Sequence, residues 1–356
     1  MLLELSGIRP TRSGFSVRRL SNAYLSLEIV PDLGARIVSF KNALTGREWC
    51  WHPGEELRLF TNRYGDSFDE SPNAGFDECF PSIEACHWQG RDLPCHGEVW
   101  SVPWTVDEKA WEEGIISTTV SCRQSPFEMN RQVSIRGNQV QLDYRLRNTG
   151  EQAEAYLWAF HPMIQVTSGD RLELPGEVRA LQIEGVRGIP VNAPESEWAW
   201  PTPYSGAQLD RFELGASEPA SIKGFTRSLQ KTSACITNQV NGEFFEISWD
   251  AEPNPYLGVW INRGAYQGFQ YVAALEPTNG PTDFLSKHNS GRLVPAGGEY
   301  FWRMTITLGL QSENKIQLLT KCHKNTPSEA SARFHSTAFP TPIGRRVSDP
   351  ESRRGR

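Results

Sequence analysis

The chain has 356 residues, 38% hydrophobic and 22% charged, with a formal net charge of −6. This composition supports a substantial buried core and excludes a disordered polypeptide. Basic residues scattered among acidic ones exclude the Lys/Arg stripe that tracks phosphates, so no nucleic-acid partner is expected.

The opening MLLELSGIRPTR has an apolar stretch broken by Glu4 and too short for a signal-peptide core. No run approaches the roughly 18 apolar residues of a membrane span. Both absences predict a cytoplasmic protein with no membrane partner. The first clear element follows, with Leu25, Leu27 and Ile29 alternating with Ser26 and Glu28. Pro31-Asp32-Leu33-Gly34 reads as a turn and Ala35–Phe40 as the return strand. Further strands are predicted over Gly97–Val106, Gly114–Ser121 and Asn130–Ile135.

In QVQLDYRLR, Val140, Leu142, Tyr144 and Leu146 share one face, and Gln141, Asp143, Arg145 and Arg147 the other. Such period-two patterning, with one buried and one wet face, belongs to antiparallel sheets. Asn148-Thr149-Gly150 closes the strand as a turn. Strands are next predicted over Glu154–Thr167, Phe244–Trp249, Leu257–Ile261 and Gly268–Leu275. The last is FWRMTITLGL, where Trp302, Met304, Ile306 and Leu308 oppose Phe301, Arg303, Thr305 and Thr307.

Sustained helical patterns are scarce, so there is no βαβ rhythm, and neither GxGxxG nor GxxxxGK[ST] occurs. Gly188–Gly206 reads as a long loop, a groove wall carrying Trp198, Trp200 and Tyr204, or as a domain boundary. The patterned chain, 1–318, is expected to be one domain, and 319–356 a flexible tail.

Seven cysteines, an odd number in a long chain, imply no disulfide framework. Cys79, Cys86, His87, Cys95 and His96 lack the tight CxxC pairs of a structural zinc site, so no metal is expected.

Three segments place ionisable groups in apolar or turn-rich surroundings. In LPCHGEVW, His96 and Glu98 stand at the entry to a predicted strand, as functional groups or as a solvated hairpin loop. In YLWAFHPMIQV, His161 lies in an apolar strand just before Pro162, which cannot donate to a ladder; this predicts an edge or a bulge there. The alternative for His161 is a satisfied core histidine. In YVAALEPTNGPTD, Glu276 ends an apolar strand before a Pro/Gly turn, at the rim or in a site. An imidazole and a carboxylate on separate strands suit paired acid–base chemistry. Trp100, Trp158 and Trp260 can offer apolar surface to sugar C–H faces or pack the core.

The ordered pieces LPCHGEVW, FHP at 160–162 and LEPTNGPTD, with PYLGVWINRG at 255–264, resemble the aldose 1-epimerase (galactose mutarotase-like) family over roughly residues 15–310. The resemblance implies an all-β fold: a large antiparallel β-sandwich, or supersandwich, with a carbohydrate groove across one sheet. It implies His161 as the general acid, which protonates the sugar ring oxygen. It implies Glu276 as the general base, which takes the anomeric proton, and His96 as a substrate-binding histidine. No cofactor is needed for such a reaction; the partner is a small-molecule sugar. Asn62-Arg63 matches the family's Asn-Arg pair, making Arg63 a substrate-binding candidate. Asp77 and Glu78 occupy a predicted turn where sugar-facing or rim groups belong, and the residues leave the choice between them open. Glu98-Val99-Trp100 stands where the family carries Phe-Ala-Arg, so Glu98 is a further binding candidate and the sugar is unassigned. Two other readings accompany the isomerase. One is a non-catalytic carbohydrate-binding or regulatory protein. The other is a glycosidase or lyase, which needs a second carboxyl facing Glu276, for which Glu98 and Asp77 are the candidates.

Overall fold

The computed structural model describes residues 14–54, 59–68, 70–189, 196–202, 206, 208–213, 219–266, 271–288 and 293–311, and the backbone of 6–10. The predicted tail, Tyr204 and Cys322 lie outside these residues.

Alternating sequences build two large antiparallel sheets. The smaller has eight strands in the order Asp170–Glu173, Ser233–Asn238, Glu243–Trp249, Glu299–Leu310, Gln139–Asn148, Phe127–Arg136, Ile116–Ser121 and Thr105–Val106. Its centre is regular. Phe127–Arg136 and Gln139–Asn148 pair without a break from Phe127↔Asn148 to Arg136↔Gln139. The residues predicted to face inward, Val140, Leu142, Tyr144 and Leu146, are all buried.

The larger sheet has twelve strands. Eleven run in the order Ser6–Pro10, Ser16–Ser21, Leu25–Val30, Arg36–Asn42, Phe76–Cys79, Ala159–Pro162, Val272–Thr278, Tyr256–Arg263, Ala220–Phe225, Ala180–Arg187 and Glu197–Ala199. The twelfth, Ile164–Gln165, also pairs with Val272–Thr278. Side chains such as Phe40, Phe76, Phe160 and Leu275 from this sheet share one apolar core with Val133, Leu142, Ile247 and Met304 from the other. The packing is that of a β-sandwich. Across it, Glu78 of the larger sheet meets Arg131 and Tyr144 of the smaller at 2.8 Å each.

Several predicted boundaries shift. Gly97–Val106 is a chain of turns, with a strand only at Thr105–Val106. The reason is local: His96 and Gly97 both take left-handed backbone angles, φ +57° and +73°. A Cβ on Gly97 would come within 2.0 Å of the Phe80 carbonyl oxygen. Glu154–Thr167 breaks into Glu154–Ala155, Ala159–Pro162 and Ile164–Gln165. Pro162 is neither at an edge nor in a bulge. The ladder to Val272–Thr278 stops after Ala159↔Thr278 and resumes at Ile164↔Ala273 in the same register. Phe76–Cys79 is a central strand, not a turn, and Glu276 lies inside its strand, which continues through Pro277 to Thr278. In the predicted loop at 188–206, Glu197–Ala199 pairs as an edge strand, and Trp198 packs into the core. No described helix is long and apolar enough to cross a membrane.

Candidate functional site

Side chains alternate along a strand, so the inner packing of Phe76, Phe160 and Leu275 sends Asp77, His161 and Glu276 to the opposite, outer face of the larger sheet. These three stand in a row across the strands. His161 is paired with Asp77. On its other side, the unshifted register between Ala159↔Thr278 and Ile164↔Ala273 sets His161 opposite Glu276. Cβ atoms so opposed are about 5 Å apart. Glu276 in turn pairs with Gly258. A Cβ at Gly258 would lie 3.1 Å from Glu276 Oε2, so glycine leaves room for the carboxylate.

Asp77 organises one end of the row. Its Oδ1 lies 2.9 Å from His161 Nδ1, its Oδ2 3.5 Å from His96 Nδ1 and 3.8 Å from Arg36 Nη2. Burial alone would raise the Asp77 carboxyl. Its contacts with His161 and then His96 prevail and hold it well below the usual carboxylate range. Burial lowers the pKa of His96 against the pull of Asp77, which favours its neutral ring. Burial also lowers Arg36, again opposed by Asp77. Engagement of His161 Nδ1 by Asp77 leaves Nε2 as the ring atom for a ligand.

His96 reaches this place through the turn that breaks the predicted strand. Its N–H donates to the Ile83 carbonyl at 2.6 Å, and its carbonyl accepts from Phe80 N–H at 3.3 Å. Phe68 stacks on His96 with ring centroids 3.7 Å apart and meets His161 edge-on at 5.2 Å. Trp260 lies 5.9 Å from His161, and Trp100 5.8 Å from His96. Trp158 belongs to the other face, where its indole donates to Glu78 at 2.8 Å.

At the far end of the row, Lys223 Nζ donates to Glu276 Oε2 and lies 3.6 Å from Asp283 Oδ1. Burial works against the Lys223 charge, but Asp283 and Glu276 outweigh it and raise the lysine. Burial pushes the Asp283 carboxyl up to about 7; Lys223 opposes the shift and Glu276 adds to it.

The structure therefore brings Asp77, His96, His161 and Glu276 onto one face. It separates Asp77 from Glu78, a choice the sequence leaves open: Glu78 points into the core. Arg63 is exposed, and its backbone N–H donates to Asp66 at 2.7 Å, whereas Arg36 lies beside Asp77. Glu98 is fully buried. It accepts from Ser125 N and Oγ at 3.1 and 2.6 Å and from Gln124 N at 2.7 Å, anchoring that turn. Arg36, Lys223 and Asp283 escape sequence reading. Lys223 sits in ASIKGF, whose alternation is too weak to mark a strand, and Arg36 looks like an ordinary hairpin residue.

Asp77, His96 and His161 also place one potential ligand atom each within 4.8 Å of one another. The Arg36 guanidinium already faces that carboxylate, which weighs against a second cation there. The six described cysteines are free thiols.

The sequence matches no family model and no curated protein. Solved structures do match. A putative aldose 1-epimerase from Klebsiella pneumoniae is 15% identical, with 90% of this chain and 87% of that one covered and a TM-score of 0.63. A galactose mutarotase-like protein from Clostridium acetobutylicum is 14% identical, with 87% and 99% covered and a TM-score of 0.61. The Slr1438 protein from Synechocystis is 16% identical, with 87% and 100% covered and a TM-score of 0.59. At such identities the likeness is one of fold: the chain shares the β-sandwich of galactose mutarotase-like proteins.

Proposed function

We propose that the protein is a sugar isomerase of the aldose 1-epimerase type, acting on a free sugar bound in a groove over the outer face of the larger sheet. The observation that carries this reading is the opposed register of His161 and Glu276, with both side chains on that face. Two proton-transfer groups on neighbouring strands span the two oxygens of one anomeric centre.

In this mechanism His161 Nε2 delivers a proton to the ring oxygen while Glu276 Oε1 takes the proton of the anomeric hydroxyl. The bond between the anomeric carbon and ring oxygen breaks, and the carbonyl forms. Rotation about the adjacent C–C bond presents the other carbonyl face, and the same two groups act in reverse. Asp77 fixes the tautomer and orientation of His161 and offsets the charge of the protonated ring. His96, kept neutral by burial, supplies a hydrogen bond near the ring oxygen. Trp260 offers an apolar wall. None of these steps routes through a cofactor. Mutarotation also runs uncatalysed in water, so a positioned acid–base pair worth about 10²–10⁴-fold suffices.

Magnetisation-transfer NMR of anomer exchange, over a panel of hexoses, pentoses and sugar phosphates, tests this. Glu276→Gln should lower exchange by about 10²–10⁴-fold while calorimetric sugar binding persists. Wild-type protein that binds a sugar without accelerating exchange would favour the rival reading, a binding protein without turnover. The burial of the Glu276 carboxylate against Lys223 is the observation that speaks for that rival.

A further inference from the structure

Lys223 lies on Ala220–Phe225, separated from the Glu276 strand by Tyr256–Arg263. It pairs with Trp260, and Trp260 with Ala274. The lysine is thus one side-chain row away from Glu276 and on the same outer face. Gly258, on the intervening strand, has no side chain to block its approach. The Glu276 side chain is 0% exposed, Asp283 9% and Lys223 14%. Glu276 Oε1 is buried with no hydrogen-bond partner among the described residues.

An uncompensated carboxylate at such a depth is costly and escapes the cost by taking up a proton, which would disable it as a base. An ammonium on one oxygen offsets that cost and leaves the other oxygen without a hydrogen-bond partner among the described residues. We propose that Lys223, held between Glu276 and Asp283, is the positioning residue of the base: it engages Oε2, keeps the carboxylate anionic, and leaves Oε1 as the oxygen that takes the anomeric proton. This rests on the reading of Glu276 as general base. When Oε1 receives the proton, the electron pair of the O–H bond forms the carbonyl. The ring C–O bond breaks, and the ring oxygen takes the His161 proton. The ammonium then keeps Asp283 as its counter-charge.

The ionisable groups facing Glu276 are Lys223 and Asp283 at one end, and Cys79, His96 and His161 at the other. Replacing Lys223 removes its charge from beside Glu276, Asp283 and Cys79 and leaves the two histidines in place. In Lys223→Met, the acid limb of the kcat/KM profile for anomer exchange should move up by about one pH unit or more. That is roughly a tenfold loss on the limb, regained at higher pH. Lys223→Arg should restore the wild-type limb. A lysine that merely packs would lower the rate equally at every pH.

The second measurement is independent of turnover: a carbon-13 carboxyl titration of glutamate-labelled protein, with the Glu276 signal assigned by its loss in Glu276→Gln. Its midpoint should move up in Lys223→Met. Lys223→Gln replaces that variant if it does not fold. An unmoved limb and an unmoved midpoint overturn the proposal. If wild-type protein exchanges no anomers, the isomerase reading falls and the titration alone judges Lys223. A moved midpoint upholds its hold on the carboxylate, and an unmoved one ends it.

Discussion

Asp77 and Glu78 are adjacent carboxylic acids, both buried, yet one sheet pleat gives them opposite surroundings. Asp77 meets two imidazoles and Arg36 on the outer face, and Glu78 meets Arg131, Tyr144 and Trp158 in the core. Asp283 shows how such surroundings become stability. Its carboxyl, raised to about 7, binds a proton more tightly in the folded chain than in the unfolded one. It stabilises fully below the unfolded value near about 4, and that contribution is lost as pH rises through about 7. Asp283→Asn keeps a neutral group in place. It should be more stable than wild type at pH 8 by roughly 1–3 kcal/mol, with the gap closing by pH 4. Thermal melts across that range check the sign; a gap that widens toward acid would contradict it.

At the scale of elements, the decisive piece is the turn at 94–97, at the entry to the strand predicted over Gly97–Val106. His96 is one residue from Gly97, and both adopt positive φ. The turn is gripped by bonds between Glu98 N and the Phe80 carbonyl at 2.6 Å, and between Gly97 N and the Pro94 carbonyl at 2.9 Å. Gly97→Ala forces a left-handed alanine and a clash with the Phe80 carbonyl. It should cost at least roughly 2 kcal/mol and detach His96 from Asp77. Denaturant unfolding measures the first effect, and the histidine ring resonances report the second. The sequence does mark His96 and Gly97 as special. It offers a solvated hairpin loop there but not this buried turn, because the close approach of Phe80 is a long-range contact.

At the scale of the whole molecule, one charged pair ties the two sheets through the core. Arg131 and Glu78 are both 0% exposed, and Arg131 also donates to the Ala35 carbonyl, in the turn that leads into Arg36–Asn42. Glu78→Gln leaves the guanidinium buried without its counter-charge, so a loss of about 3–5 kcal/mol is expected. Because Phe76–Cys79 carries Glu78 on one face and Asp77 on the other, loosening the sheets should also displace the site. Equilibrium unfolding together with anomer exchange reads both; a variant as stable as wild type would show that the pair contributes nothing net.

Period-two alternation, as in Val140–Leu146 and Trp302–Leu308, is a local consequence of strand geometry. From it follow the antiparallel architecture and most of the inward-facing side chains. The same local reading picks out His96, His161 and Glu276, because an ionisable group amid apolar or turn-forming neighbours stands out within a short window. What the window does not contain is register. His161 and Glu276 are 115 positions apart, and Lys223 is 53 positions from Glu276. Whether such groups meet depends on which strands pair and in what phase, and one residue of slip would send them to the opposite face. Hence Arg36 rather than Arg63 beside Asp77, Glu98 spent on Gln124 and Ser125, and Lys223 on Glu276 were decided by the packing of segments distant in the chain.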